Sequence, residues 1–103
     1  MKLFVLGLAV ACLLVAGSAS ASEELAKSNN CLGCHKVATK AMGPSFQDIA
    51  AKYKDDAEGV ATLTKSITEG SKDKWGGMPM MAQKQVKEAD AKALAEWTMT
   101  LAK

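Results

Sequence analysis

Apolar residues in this chain recur at helical spacing, and no stretch alternates apolar and polar residues as a β-strand would. Phe46, Ile49 and Tyr53 fall on one face of a short predicted helix. Either Pro44 or Ser45 opens this helix, because proline suits a first turn and serine suits a cap. The pattern therefore predicts an all-α protein with short elements.

Two further helices are predicted towards the C-terminal end. Asp55 or Asp56 starts the first of them, and Gly70 is a plausible stop. The second runs from about Lys87 to Ala102. The apolar face of the first helix consists of Val60, Leu63 and Ile67. The apolar face of the second consists of Leu94, Trp97 and Leu101.

Residues 1–21 have the pattern of a secretory signal peptide. Lys2 precedes an apolar run, and a small-residue tract ends at Ala21. The apolar run is short for a membrane span. We place the cut after Ala21, and two alternatives are an uncleaved anchor and a lipoprotein cut before Cys12.

Removing 21 of the 103 residues leaves 82, which form one small predicted domain at residues 22–103. Ser22 can cap a first short helix, with Glu23 and Glu24 in its first turn. A domain of this size has difficulty burying enough apolar surface on its own. Its aromatic residues are only Phe46, Tyr53, Trp75 and Trp97. We therefore expect another group to fill the centre.

The two cysteines of this domain lie three residues apart and lead directly into a histidine, as Cys31, Cys34 and His35. The pattern C-x-x-C-H is the attachment site of a c-type haem. Thiols at this spacing share one face of a helical turn, where each can add to one haem vinyl group. His35 then becomes an axial ligand of the iron.

Two other interpretations of these cysteines compete. A dithiol redox motif belongs in an alternating strand and helix pattern, which the chain lacks. A zinc site needs a fourth ligand, and His35 is the only histidine. Haem is the interpretation that we favour.

A haem that only carries electrons has both axial positions filled, and a methionine opposite a histidine raises its potential. Met99 lies in a predicted helix, and Met42 is too close to the attachment site to reach the far face. The other candidates lie in a loop stiffened by proline. These are Met78, Met80 and Met81, and composition alone does not choose among them.

Three segments together resemble the small bacterial class I cytochromes c, which are periplasmic electron carriers. The segments are CLGCH at residues 31–35, MGP at residues 42–44 and WGGMPM at residues 75–80. The resemblance covers essentially all of residues 22–103. It implies the class I cytochrome c fold, with about four short helices wrapped around one covalently bound haem c.

The resemblance also implies roles for particular residues. Met80 corresponds to the family's second axial ligand, opposite His35. Pro44 corresponds to the residue whose carbonyl binds the imidazole, a contact that orients a metal ligand. Trp75 corresponds to a tryptophan that donates to a haem propionate, although core packing is an alternative for it. The chain departs from the family at Met81 and Ala82, where relatives often have prolines.

A family asparagine near the ligand sulfur also has no direct counterpart, since the nearby amides are Gln83 and Gln85.

The net charge of the chain excludes nucleic acid as a partner. The whole chain carries +2, and without Lys2 its twelve lysines and eleven acids give +1. A nucleic-acid-binding domain needs a more concentrated basic surface. Several lysines flank the predicted haem segments, namely Lys27, Lys36, Lys40, Lys74 and Lys84.

The predicted function is therefore single-electron transfer without catalysis. We expect a monomer that meets membrane or periplasmic redox proteins transiently and binds no small-molecule substrate. The alternative is a haem enzyme, such as a peroxidase, or a gas sensor. Either needs an iron whose sixth position opens.

Overall fold

The computed structural model describes residues 22–76 and 78–102. Four α-helices follow one another in this part of the chain. They are α1 (Glu23–Ser28), α2 (Phe46–Tyr53), α3 (Gly59–Glu69) and α4 (Glu88–Met99). A 3-10 turn at Cys31–Gly33 follows α1. The described residues contain no β-strand, only an isolated bridge between Ser71 and Met80. The predicted all-α class and its four short helices are confirmed.

The first two helices begin at serine caps. The hydroxyl of Ser22 accepts a hydrogen bond from the Glu24 amide at 3.3 Å. Ser45 caps α2, since its hydroxyl accepts from the Asp48 amide at 3.0 Å. Ser45 rather than Pro44 is therefore the residue that opens α2.

The predicted start of α3 was three or four residues too early. The Asp56 carboxylate accepts a hydrogen bond from the Glu58 amide at 2.8 Å, so it forms a local turn instead of starting the helix. The helix begins at Gly59 and ends as predicted at Gly70.

The predicted C-terminal end of α4 was also wrong, because the helix stops at Met99. The Thr100 hydroxyl donates to the Trp97 carbonyl at 2.6 Å, and the Thr100 amide donates to the same carbonyl at 3.0 Å. Tight bonds of this kind end a helix by using its last carbonyls.

Helix α4 lies at the centre of the packing and contacts α1, α2 and α3. The face of α2 predicted to be buried is buried, as is Leu94 on α4. Alanines with no exposed surface allow the close approach between helices. The core consists of Ala26, Phe46, Ile49, Tyr53, Leu63, Val86, Ala91, Leu94 and Ala95.

The predicted signal peptide, residues 1–21, lies outside the described residues. Among the residues that the structure describes, no helix is long and apolar enough to cross a membrane.

Candidate haem site

One cavity of about 250 Å³ brings together all the residues predicted from the sequence to form a site. It lies between the turn after α1, the buried face of α2, and the loop that precedes α4. Residues far apart in the sequence thus face a common space. The predicted site residues lining it are Cys31, Cys34, His35, Pro44, Trp75 and Met80.

The turn at Cys31–Gly33 presents the two thiols. Asn30 begins the turn in the left-handed conformation, with φ of 64°. The amides of Cys34 and His35 both donate to the Cys31 carbonyl, at 3.2 and 3.0 Å. Neither cysteine is in a disulfide. Partial burial, and secondarily the neighbouring Cys34, raise the pKa of the Cys31 thiol.

The His35 imidazole is held in one orientation by a backbone carbonyl. Its Nδ1 atom lies 2.7 Å from the Pro44 carbonyl oxygen. A carbonyl only accepts hydrogen bonds, so Nδ1 carries the proton. In the neutral ring this leaves the Nε2 atom with a free lone pair, which is the state that binds a metal.

The backbone at Gly43, next to Pro44, approaches the His35 imidazole closely. The Gly43 amide donates to the Cys34 carbonyl at 2.8 Å. A Cβ atom added to Gly43 would lie 2.8 Å from His35 Cε1 and 3.1 Å from Nδ1. Any larger residue here would therefore displace the His35 ring or the backbone. On another side the ring packs against Phe46, with centroids 5.2 Å apart.

Met78 and Met80 line the cavity from a loop whose described residues are 71–76 and 78–80, and we call this segment the methionine loop. Its two ends pair with each other. The Ser71 amide donates to the Met80 carbonyl at 3.0 Å, and the Met80 amide donates to the Ser71 carbonyl at 2.8 Å. Just beyond it, the Gln83 amide donates to the Ile67 carbonyl on α3 at 2.8 Å. The backbone of Met80 is thus fixed next to the end of α3.

The three candidate methionines differ in exposure. Met80 is half-buried, whereas Met78 is 72% and Met81 is 73% exposed. All three line the cavity. Met42 lies on the cysteine side, where its Sδ atom is 3.9 Å from Cys34 Sγ.

Trp75 lies outside the buried core and is 42% exposed. The other tryptophan, Trp97, is partly buried against the core and packs edge-on against Phe46 with centroids 5.1 Å apart. Of the two amide side chains, Gln83 lines the cavity, whereas Gln85 donates to the Asn29 carbonyl at 2.9 Å.

A cytochrome c family model matches residues 19–102. The chain belongs to the cytochrome c family. Cytochrome c-552 of Nitrosomonas europaea is 50% identical over 93 residues, which cover 90% of this chain and 90% of that protein. Cytochrome c-551 of Pseudomonas denitrificans is 49% identical over 82 residues, or 80% of this chain and 99% of that protein.

A solved structure agrees with the sequence relatives. The crystal structure of wild-type Nitrosomonas europaea cytochrome c552 matches with a TM-score of 0.75 and 49% identity. The match covers 77% of this chain and 98% of that chain. The protein is thus a small class I monohaem cytochrome c, as the sequence motifs predicted, and such cytochromes are electron carriers.

Cytochromes c carry one covalently bound haem c with its iron, and the residues of this cavity suit that group. Cys31 and Cys34 have free thiols, and these would form the two thioether bonds to the group. The imidazole of His35 has its Nδ1 atom engaged, so Nε2 would be the atom that binds iron. Family membership also decides for haem against the zinc and dithiol interpretations of the cysteines.

Sequence reasoning did not place several residues at the site. Tyr53, Leu63 and Leu94 line the cavity, although the sequence analysis predicted them only as residues of apolar helix faces. Gly70 was predicted as a helix stop, yet it also packs against the methionine loop. A Cβ atom on it would lie 2.7 Å from the Met80 carbonyl oxygen. No local signal marks such a contact, because it depends on how the loop folds back.

Proposed function

We propose that this cytochrome carries single electrons between larger redox proteins of the periplasm, with its haem iron held between His35 and Met80. The family assignment supports electron transfer. The two ligands and the compartment are our inference from the site and from the sequence.

The observation that carries the ligand assignment is the pairing of Met80 with Ser71. Both backbone hydrogen bonds of this pair have normal lengths, at 3.0 and 2.8 Å. They fix the Met80 backbone at a point where its residue lines the same cavity as His35. Within residues 22–76 and 78–102, neither Met78 nor Met81 has such a backbone pairing, and both are largely exposed. A ligand that must stay bound in both oxidation states benefits from a fixed backbone.

The chain's own residues keep the site unchanged during transfer. The Pro44 carbonyl holds the imidazole of His35 in place, and the paired ends of the methionine loop hold Met80. Bound haem supplies an iron that changes its charge by one unit. Rigid ligands keep the atomic rearrangement that accompanies this change small. Thioether bonds from Cys31 and Cys34 prevent loss of the group.

Two features of the sequence support the proposed compartment and the proposed kind of partner. The pattern of residues 1–21 is that of a signal peptide, which supports a periplasmic location. Exposed lysines surround the cavity segments, including Lys36, Lys40 and Lys74. An acidic surface on a transient partner would be steered towards them.

The absorption spectrum of the purified holoprotein tests the proposal. We expect sharp α and β bands after reduction. When oxidised, the protein should show a weak near-infrared band from sulfur-to-iron charge transfer. A high-spin spectrum, or a reduced form that takes up carbon monoxide at once, would refute His/Met ligation and favour a haem enzyme or gas sensor.

A further inference from the structure

We propose that Lys52 is a positioning residue that holds the methionine loop against helix α2 and so slows dissociation of the iron–methionine bond. The inference rests on the proposed ligation by Met80. It assigns a role to a side chain that none of the haem motifs includes.

Lys52 makes two contacts with the loop. Its ammonium nitrogen lies 4.6 Å from the centroid of the Trp75 ring. The same nitrogen donates a hydrogen bond to the Lys74 carbonyl at 3.3 Å. The partners of this bond are 22 residues apart in the sequence. A cation over an indole face, with a second bond to the adjacent backbone, connects α2 directly to the loop.

These contacts matter because the rest of the loop is weakly attached. Its ends are paired through Ser71 and Met80. Between them, among described residues 72–76, 78 and 79, the bond from Lys52 is the only hydrogen bond that reaches the loop. Immediately after the loop, Met81 and Ala82 leave the backbone less restricted than prolines would. Lys52 therefore restrains the segment that must move before Met80 can leave the iron.

Helix α2 is a suitable anchor for such a restraint. Its opposite face contributes Phe46, Ile49 and Tyr53 to the core, each at most 8% exposed. Lys52 projects from the exposed side of the same helix. A contact made from a helix fixed in this way resists displacement of the loop.

Imidazole binding to the oxidised holoprotein measures how often the loop opens. At saturating imidazole the rate is limited by departure of the methionine sulfur. We expect K52M to raise this limiting rate about twofold to fivefold, the range for losing an exposed cation–π contact. K52R retains the charge and the stacking ability, so its rate should remain close to that of the wild type.

Lys54 provides the matched control. It lies at the C-terminal end of the same helix, is exposed, and makes no side-chain hydrogen bond or ring contact within the described residues. K54M removes the same charge and should leave the rate unchanged. The K52M effect should also be smaller in a W75L background, because part of the contact is already lost.

The outcomes separate this inference from the proposed function. A wild-type protein without the sulfur-to-iron band would overturn His/Met ligation and the role of Lys52 with it. A normal band with equal rates for K52M and wild type would overturn the role of Lys52 alone. Equal acceleration by K52M and K54M would show a general charge effect and would likewise overturn it.

Discussion

The Nδ1 atom of His35 lies 2.7 Å from the carbonyl oxygen of Pro44, and the intervening glycine leaves no space for a side chain beside the ring. Hydrogen bonding of Nδ1 to a carbonyl makes an imidazole a more basic metal ligand. A more basic ligand favours ferric iron. With His35 as the proposed iron ligand, the Pro44 carbonyl would both orient the imidazole and lower the reduction potential relative to an imidazole without this hydrogen bond.

Gly43→Ala should weaken this hydrogen bond. The new Cβ atom would lie 2.8 Å from His35 Cε1, so either the ring or the segment containing Pro44 must shift. We expect a higher reduction potential and a lower unfolding midpoint, measured by potentiometric titration and by thermal denaturation of the oxidised protein.

Gly33→Ala is the matched control, because a Cβ atom on Gly33 meets nothing within 4 Å. Its potential should stay at the wild-type value. If both variants shift the potential equally, crowding at His35 is not the cause.

The thiols give a prediction about covalent attachment. The double variant Cys31→Ser/Cys34→Ser should lose its haem completely during denaturing electrophoresis, since no thioether remains. Each single variant should retain one thioether. Its reduced pyridine complex should then absorb at a longer wavelength than that of the wild type, because one vinyl group stays conjugated. Haem stain that survives electrophoresis in the double variant would contradict attachment through these two residues.

The ligand assignment predicts different effects of three alanine substitutions. Met80→Ala should abolish the near-infrared sulfur band, lower the reduction potential and allow the reduced protein to bind carbon monoxide. Met78→Ala and Met81→Ala should keep the band, since both side chains are more than two-thirds exposed. Loss of the band in Met78→Ala, with its retention in Met80→Ala, would transfer the assignment to Met78.

Gly70 should be sensitive to substitution for two reasons. Its backbone has φ of 84° and ψ of 171°, a region that only glycine adopts readily. A Cβ atom there would also lie 2.7 Å from the Met80 carbonyl oxygen and 2.9 Å from the Ala82 amide nitrogen. We expect Gly70→Ala to cost about 1–3 kcal/mol of unfolding free energy from backbone strain alone. It should also increase the rate of imidazole binding.

A substitution at Gly76 separates the cost of backbone strain from the cost of a steric clash. Its φ is 73°, yet a Cβ atom on it meets nothing within 4 Å. Gly76→Ala should therefore cost less than Gly70→Ala in denaturant unfolding. An equal or greater cost for Gly76→Ala would show that the contact with Met80 contributes nothing.

Apolar periodicity and capping residues were sufficient to predict the four helices, but not all their ends. The apolar face of Phe46, Ile49 and Tyr53 is buried because burial of a stripe follows directly from helical spacing. The start of α3 was misplaced because the side chain of Asp56 bonds to the backbone locally. Whether an aspartate caps a helix or forms a local turn depends on backbone geometry, which the spacing of apolar residues does not reveal.

The site shows the same division between local and distant information. The motif of Cys31, Cys34 and His35 is contiguous, so its chemistry is visible in the sequence. The pairing of Ser71 with Met80, and the contact of Lys52 with Trp75, form only when distant segments meet. Ser71 and Lys52 lie outside the sequence motifs, so the structure was needed to identify these two contacts.

Phe46 connects the haem site to the helical core. Its ring lies 5.2 Å from His35 and 5.1 Å from Trp97, centroid to centroid, and the residue is 7% exposed. Phe46→Ala should lower the unfolding free energy by about 3–5 kcal/mol, because removal of a buried aromatic ring leaves a cavity. Phe46→Leu should cost less, since most of the volume remains filled. Denaturant titration of the holoprotein measures both losses.

The absorption bands of the ligated haem should persist in Phe46→Ala wherever the variant is folded. His35 keeps its hydrogen bond to Pro44 in this variant, so the imidazole stays oriented without the neighbouring ring. Loss of the sulfur-to-iron band at full helical content would contradict this view, because it would show that Phe46 maintains iron ligation directly. A large stability loss with unchanged bands would instead establish that packing of the core and orientation of the ligand depend on separate contacts of the same site.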